Sequence, residues 1–564
     1  MDVRTLPDIL RYAREVHRKP DAFLVKRGAR WTPVSIEAFG ARVDALAAEL
    51  RRRGVRRGDR VAVLSENRIE WAIADFAVLS LGAITVPFYS TLPAGELTPL
   101  IADCTPCGAF VSSRVQKDKL AAAGHPAEAL KWVWCFDEEP LPEGAGAASG
   151  GEASGGSAAP GAAPDADDVA TIIYTSGTTG TMKGAMLTHR NIISDMMSAL
   201  GVLQIGPVDT YLSFLPLSHI FERTGGHFVM IYAGATIAYA QSILSVPQDL
   251  LDVRPNVILA VPRFYEKILQ LAMEAVEEAG GLKHQVFRWA HRVALDWARR
   301  DVVREPIPAS LAFQHALASL LVYRKVTARL GGRLRLRIAG GAPLSRDVGL
   351  FFHGIGQTIY EGYGLTETSP IIAVNSFAHW RLGTVGRPLP GVEVRIAEDG
   401  EILVRGSLVM KGYWNRQEET DLALAAGWFH TGDIGDIDAD GFLRITDRKK
   451  DVIVTSGGKK IVPQPIELAL KEARQISEAI VVGDGRKFAS VLIATAEGAT
   501  REEIAREVDR VNAGLAQFEK LKKFAIIPND LSIENGHLTP SLKVKRRKIT
   551  ERYRDLIEDL YREA

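Results

Sequence analysis

The sequence predicts an α/β protein of parallel sheets covered by helices, with a candidate boundary late in the chain between a large N-terminal body and a small terminal domain. Three observations carry that expectation. Apolar strand-like runs alternate with helical periodicity from residue 34 onward, the pattern of strands covered by crossover helices. The chain has 564 residues, 46% hydrophobic and 24% charged, enough for about three to five compact units of ordinary globular composition. Finally, five consecutive charges, Asp447 to Asp451, separate the apolar runs Phe442–Ile445 and Val452–Val454. That run is either a charged turn between paired strands or a hinge ahead of a terminal domain.

Phe39, Val43, Leu46 and Leu50 recur at helical spacing over Ile36 to Arg53, and Gly54 stops the helix. Arg60 to Leu64 reads as a buried strand, Glu70 to Leu81 as a second helix, and Ala83 to Pro87 as a second strand. The stretch 143–168 is Gly, Ala, Ser, Pro and acid, and buries too little apolar surface to offset its ordering entropy, so we expect a disordered surface loop. Alternation then resumes, with helical regions over Pro262 to Arg304 and near Leu311 to Leu330, and short strands with Gly turns over 383–446.

Composition excludes several functions. With 69 Lys+Arg against 68 Asp+Glu, the net charge is +1, which provides no field to gather nucleic acid. Three cysteines cannot staple a secreted scaffold, and Cys104 and Cys107 have no second pair to complete a metal site. Met1 to Arg18 lacks an apolar signal core, and Phe76 to Tyr89 is too short to cross a bilayer. A cytoplasmic location is expected. The stretch Lys283 to Arg304 interleaves six Lys/Arg with Phe287, Trp289, Val293 and Trp297. It reads either as a core-packed helix with a solvated face or as a peripheral contact with a membrane.

Three stretches carry chemistry. The run Thr175-Ser-Gly-Thr-Thr-Gly-Thr-Met-Lys183 follows a strand (Val169 to Tyr174) and precedes a helix capped by Thr188. Gly177, Gly180 and Gly184 permit close backbone approach to phosphates, the hydroxyls of Ser176, Thr178 and Thr179 add donors, and Lys183 adds a mobile cation. It does not fit the Walker A spacing. In Tyr360-Glu-Gly-Tyr-Gly-Leu-Thr-Glu367, Tyr363 offers a flat face to a base and Glu367 a hard oxygen to Mg²⁺. In Trp428-Phe-His-Thr-Gly-Asp433, Asp433 is placed to accept from ribose hydroxyls.

In this order, with Asp433 fifteen residues before Arg448, these stretches resemble the adenylate-forming family of acyl-CoA synthetases, acyl-adenylating domains and luciferases. Phe214 to Ile220, Ala339 to Pro343, Gly383 to Pro388 and Ser541 to Arg547 extend the likeness over essentially the whole chain. Leu217 to Thr224 and Thr446 to Val454 look most like bacterial long-chain fatty acyl-CoA synthetases.

The resemblance implies ATP, Mg²⁺ and CoA, with a fatty acid as the small-molecule partner. Thr175, Ser176, Gly177, Thr178, Thr179, Gly180 and Lys183 would hold the β,γ-phosphates, with Ser176 near the metal. Gly341, Ala342, Glu361, Gly362 and Tyr363 would frame the adenine. Thr366 would contact the α-phosphate, Glu367 the Mg²⁺, Asp433 the ribose, and Arg448 the ribose or phosphate side. His219 would sit where the acyl channel meets the nucleotide, or else be a satisfied core histidine. Residues 1–446 would form a large N-terminal body of parallel or mixed sheets flanked by helices and 452–564 a small mobile α+β C-terminal domain, with the hinge at 447–451 and Lys450, also on the nucleotide side, as its pivot. Lys543 would be the adenylation lysine, a compact mobile cation between two anions. Met182 stands where such loops commonly have Pro. Lys459 has a doubtful phosphate role, and Lys460, Lys449 and His189 read as solvated or structural. The implied reaction makes acyl-AMP and then an acyl-CoA. A ligase delivering acyl-AMP to a carrier protein and a catalytically silent acyl- or nucleotide-binding module are the alternatives.

Overall fold

The computed structural model describes residues 2–124, 130–144, 163–176, 182–496, 498–532, 535–538 and 544–562. They form two compact units: Met1–Leu344 with Val348–Val394 and Val404–His430, and Thr431–Ala564 with Ser345–Asp347 and Arg395–Leu403.

The first unit is built on two large sheets. In a seven-stranded sheet Arg60–Leu64 lies between Ile84–Phe88 and Gly108–Val111, all parallel. Val169–Ser176 joins that parallel set, and Met182–Thr188 returns antiparallel to it. In the nine-stranded sheet the parallel centre includes Thr210–Ser213, Val257–Ala260, Leu336–Ala339 and Tyr360–Gly364, with antiparallel pairs only toward the edges. Strands covered on both faces need no polar alternation, which is why Arg60–Leu64 and Ile84–Phe88 are almost unbroken apolar runs.

The helices follow their local signals. Ile36–Arg52 begins where the Ser35 side chain accepts from Ala38 N–H and buries Phe39, Val43, Leu46 and Leu50. Phe76 to Leu79 end a buried helix, Ile69–Ser80, that runs into the strand Ile84–Phe88. No helix among the described residues is long and apolar enough to cross a membrane. The helical region from Pro262 is two helices, Pro262–Ala279 and Gly281–Val302, divided at Gly280, whose φ of 56° L side chains rarely adopt. Phe287 and Val293 are buried and Trp297 stacks on His315 at 4.8 Å, so the apolar side of the second helix is used by the core. The lipid reading of Lys283 to Arg304 therefore loses the face it needed.

Residues 145–162 of the Gly/Ala-rich stretch lie outside the described residues. Its last six do not behave as a loose loop. Asp165 N–H donates to the Asp168 carboxylate, Asp167 pairs with Arg190 at 2.7 Å, and Asp168 pairs with Arg57 at 2.6 Å.

In the second unit Ile476–Val482, Ser490–Thr495 and Phe524–Ile527 form a three-stranded sheet. Side chains alternate between its two faces. Ala479, Val481, Val491 and Ile493 pack with the helices Pro463–Lys471 and Arg501–Asn512, while Ile480, Val482, Leu492 and Ala494 pack with Ile549 and the final helices. The charged run 447–451 closes no hairpin between its neighbours: Leu443–Arg448 pairs with Phe429–Ile437, and Ile453–Val454 pairs with Lys460–Ile461.

Candidate active site

The strands Val169–Ser176 and Met182–Thr188 form a hairpin in which Thr175 faces Lys183 and Ser176 faces Met182. Gly177, Thr178, Thr179 and Gly180 lie outside the described residues, so what is placed is the frame of that loop. Two features make the frame. A Cβ at Gly184 would lie 2.6 Å from the Ile172 side chain, so the glycine lets the hairpin strands pack at that point. Met182 packs against the apolar cluster that contains Ile172 and Tyr174. The following helix, His189–Leu203, has a capping box in which Thr188 and Asn191 satisfy each other's backbone N–H groups, as the sequence suggested.

The Lys183 ammonium sits 5.3 Å from the centre of the Tyr413 ring, within cation–π range. The Tyr413 hydroxyl donates to Glu367 Oε1 at 2.9 Å. One tyrosine thus joins the expected phosphate cation to the expected metal carboxylate. Sequence reading missed Tyr413. It lies on the two-residue strand Gly412–Tyr413, which pairs with the outer edge of the hairpin at Ala185 and Met186, and an isolated Gly-Tyr-Trp gives little warning of this.

Thr366 and Glu367 belong to a single 3-10 turn, Thr366–Thr368, in which Leu365 N–H is capped by the Thr368 hydroxyl. The turn is pinned from below: Thr224 donates to Ser369 O at 3.0 Å and Ser369 donates to Leu408 O at 2.8 Å. Its entry is tight, since a Cβ at Gly364 would lie 1.6 Å from Pro370 O. Glu367 is largely buried.

Gly341 and Ala342 leave the C-terminal end of the strand Leu336–Ala339. Glu361, Gly362 and Tyr363 lie on the neighbouring parallel strand, with Ala339 opposite Glu361. Two loops at adjacent carboxyl ends of a parallel sheet are where α/β folds bind ligands. Glu361 accepts from the backbone at Leu344 and Gly383, and burial pushes its carboxyl up to about 7.

His219 stands on the turn after Thr210–Ser213, half-buried, with Tyr89 edge-on at 6.4 Å and Phe221 N–H donating to its Nδ1 at 3.1 Å. Asn67 holds that turn, donating to Leu215 O at 2.6 Å and accepting from Leu217 N–H at 2.8 Å. Beyond it, Glu222 is fully buried and accepts from Tyr211 and Ser213, each at 2.6 Å; burial pushes its carboxyl up to about 8. Arg223 is also fully buried. It donates to Asp75 at 2.8 Å and to Thr171 at 2.7 Å, and Asp75 accepts from Thr85 at 2.8 Å. This ionic network was not read from the sequence, where Arg and Asp signal surface. His189 is a core residue whose Nδ1 accepts from Leu6 N–H, and burial lowers its pKa to about 4.

In the second unit Asp433 and Arg448 face each other across a hairpin and pair at 2.8 Å, with Asp433 only 2% exposed. The spacing of fifteen residues is therefore a cross-strand pair. Lys449 bonds Asp399 at 2.6 Å and Glu401 at 2.8 Å, a structural role. Lys450 is exposed at the turn that follows, and Lys459 lies over Phe518 at 5.9 Å. Asp447 accepts from the N–H groups of Arg448 and Gln464, while burial raises its pKa. Lys543 lies outside the described residues. The segment is bounded by a β-bridge between Leu538 and Val544, and Arg546 bonds Glu467 at 2.7 Å and Val481 O at 2.8 Å.

The profile of AMP-binding enzymes matches residues 12–414, and that of the AMP-binding enzyme C-terminal domain matches residues 450–564. The long-chain-fatty-acid–CoA ligase FadD15 of Mycobacterium bovis is 36% identical to this chain, covering 94% of it and 92% of the relative. The peroxisomal long chain acyl-CoA synthetase 7 of Arabidopsis thaliana is 31% identical, covering 92% of this chain and 80% of its own. Among solved structures, ATP-bound MatB from Rhodopseudomonas palustris matches with a TM-score of 0.74 at 26% identity, over 97% of this chain and 99% of that one.

Proposed function

The chain belongs to the AMP-binding enzyme family, and from that premise we propose that it is an AMP-forming long-chain fatty acid–CoA ligase. A fatty acid carboxylate attacks the α-phosphorus of ATP, forming the acyl–phosphate bond of acyl-AMP and expelling pyrophosphate. The thiolate of CoA then attacks the acyl carbon, forming the thioester and expelling AMP.

The residues divide the work by charge. Thr175 to Lys183 receives the β,γ-phosphates, and Lys183 offsets charge that builds on the departing pyrophosphate. Thr366 donates to the α-phosphate. Gly341, Ala342, Glu361, Gly362 and Tyr363 frame the adenine, Asp433 accepts from the ribose, and Arg448 holds Asp433 in the orientation that does so. Lys543 steadies the carboxylate as it meets the nucleotide.

Mg²⁺ fits this donor set. Glu367 supplies one largely buried carboxylate aligned by Tyr413, and no cluster of three acidic, His or Cys side chains occurs among the described residues. That is the pattern of an ion that takes one or two protein carboxylates and completes its shell with phosphates and water. When bound, it supplies positive charge to the phosphoryl oxygens.

The observation that carries the reading is the Lys183–Tyr413–Glu367 alignment beside the hairpin loop. ATP–pyrophosphate exchange measured across acid lengths, followed by product analysis with and without CoA, tests it. Exchange should peak with long-chain acids, and thioester should require CoA. A peak with acetate or aryl acids, or acyl-AMP that CoA does not consume, would refute the assignment.

A further inference from the structure

We propose that Asp103 is a positioning residue for the nucleotide site: it ties the hairpin that carries the expected phosphate loop, and the strand that carries Tyr413, to one rigid helix end. Asp103 lies in the last turn of the helix Ala94–Cys104, whose Leu97, Leu100, Ile101 and Cys104 pack with strands of the seven-stranded sheet. Helix stability does not ask for a carboxylate there, since the last turn is the negative end of the helix dipole. Its partners account for it. The Tyr174 hydroxyl donates to Asp103 Oδ2 at 2.6 Å, and burial raises the pKa of that hydroxyl and keeps it a donor. Tyr174 immediately precedes Thr175 and faces Gly184 across the hairpin, next to Lys183. The Asp103 carbonyl accepts from Trp414 Nε1 at 3.1 Å and from Asn415 Nδ2 at 3.3 Å. Trp414 immediately follows Tyr413, and its own N–H donates to Gly184 O at 2.7 Å.

Asp103 thus bonds the residue before the loop through its side chain, and the two residues after Tyr413 through its main chain. The helix end is itself held. Arg60 donates to Cys104 O at 2.9 Å and to Thr105 O at 3.1 Å, and its guanidinium lies 5.6 Å from the centre of the Trp414 ring. Arg416 approaches the Asp103 carboxylate at 3.8 Å. Asn415 takes a φ of 53°, a left-handed conformation that Asn tolerates better than most residues, at the turn where two successive side chains converge on one carbonyl. The consequence is geometric. Lys183 meets the Tyr413 ring, and Tyr413 donates to Glu367, so the spacing of hairpin and strand sets whether cation and carboxylate can address one nucleotide. Pairing at Ala185 and Met186 fixes the register of that strand, but two residues make a short ladder. Asp103 supplies the second fixed point. This role rests on the proposed nucleotide site and is exerted through Tyr174 and Trp414.

Equilibrium binding of Mg·ATP to the full chain without acid, with pyrophosphate exchange in parallel, tests the role. Asp103→Ala should weaken Mg·ATP binding about tenfold, the usual effect of losing a bond to a charged group, while the KM for the acid in exchange stays within about twofold. Asp103→Asn still accepts from Tyr174, through a neutral bond of about half the strength, and should recover most of the affinity. Tyr174→Phe removes only the hydroxyl and should match Asp103→Ala. The double variant should be no weaker than either, because both lose the same bond. Trp414→Phe keeps the ring, cuts the other arm and should weaken binding by itself. Wild-type Mg·ATP affinity in Asp103→Ala and Tyr174→Phe, or in Trp414→Phe, would overturn the proposal. So would an Asn variant as weak as Ala, losses that add in full in the double variant, or an equal loss of affinity for the acid, which general unfolding produces. A wild-type chain that binds Mg·ATP yet exchanges with no long-chain acid refutes the proposed reaction instead, and the binding series still decides the role of Asp103.

Discussion

Replacing Tyr413 by Phe removes one hydroxyl and nothing else, which makes it the cleanest probe of the alignment between Lys183 and Glu367. The lost bond, 2.9 Å to Glu367 Oε1, has a carboxylate acceptor, and such bonds contribute about 1.5–3 kcal/mol. Glu367 is only 9% exposed, so water replaces the hydroxyl poorly. At about 1.4 kcal/mol per factor of ten, kcat/KM for Mg·ATP in pyrophosphate exchange should fall by about tenfold to a hundredfold. The ring survives in the Phe variant, and with it the contact to Lys183 at 5.3 Å. Tyr413→Ala loses that too and should fall further, by about 0.5–2 kcal/mol of cation–π attraction. Exchange rates at varied Mg²⁺, with saturating acid, separate weaker metal-nucleotide binding from a slower step. A Phe variant with wild-type exchange, or an Ala variant no worse than Phe, would refute the alignment as functional.

Asp75→Asn leaves Arg223 buried without its counter-charge and should cost about 3–5 kcal/mol, read as a lowered urea midpoint. A loss below about 1 kcal/mol would mean that Thr171 alone satisfies the guanidinium. Glu222 binds its proton in the folded protein up to about pH 8, whereas the unfolded chain releases it near its ordinary value. Its contribution to stability therefore declines as pH rises between about 4.5 and 8, by up to about 1.4 kcal/mol per unit. The stability of Glu222→Gln relative to wild type should accordingly climb across that window, and a flat difference would contradict the buried neutral acid. Lys450→Pro fixes φ at the proposed pivot and should cut thioester formation far more than pyrophosphate exchange. Lys543→Ala should do the reverse, abolishing exchange while supplied acyl-AMP still reacts with CoA. Equal loss of both activities in either variant would undo that pairing of residue with step.

What the sequence revealed, and what it hid, follows from the range of each signal. Local signals were legible. The helix from Ile36, the Thr188 cap and the buried strand Arg60–Leu64 each rest on residues within a few turns or strand positions of one another. Signals carried by distant partners were not. Tyr413 matters because its strand pairs with residues of the hairpin that carries the expected phosphate loop, and no periodicity announces that pairing. Gly184 reads as part of a phosphate cradle, yet its missing Cβ is needed by Ile172. The helix Gly281–Val302 has the pattern of a lipid-binding helix because amphipathicity records an apolar partner without naming it. Here the partner is the core.

The same limit hid the structural part played by the segment after His219, which acts as a brace. Three successive residues bond in three directions. Glu222 ties to Tyr211 and Ser213 at the base of the His219 turn. Arg223 ties to Asp75 and to Thr171, on the strand that leads into the expected phosphate loop. Thr224 ties to Ser369, at the end of the turn that carries Thr366 and Glu367. Consecutive side chains on any helical turn point in different directions, and these three open the π-helical turn Glu222–Phe228. Gly225 and Gly226 make room for it: a Cβ at either would lie within 2.8 Å of Leu259, Tyr211 or Glu222. A buried ion pair is a poor source of net stability, because desolvation offsets its attraction. It is directional, however, and mispairing it is costly. The brace therefore fixes the relative placement of three loops that the proposed reaction brings to one nucleotide, at a cost in stability that an apolar core would not carry.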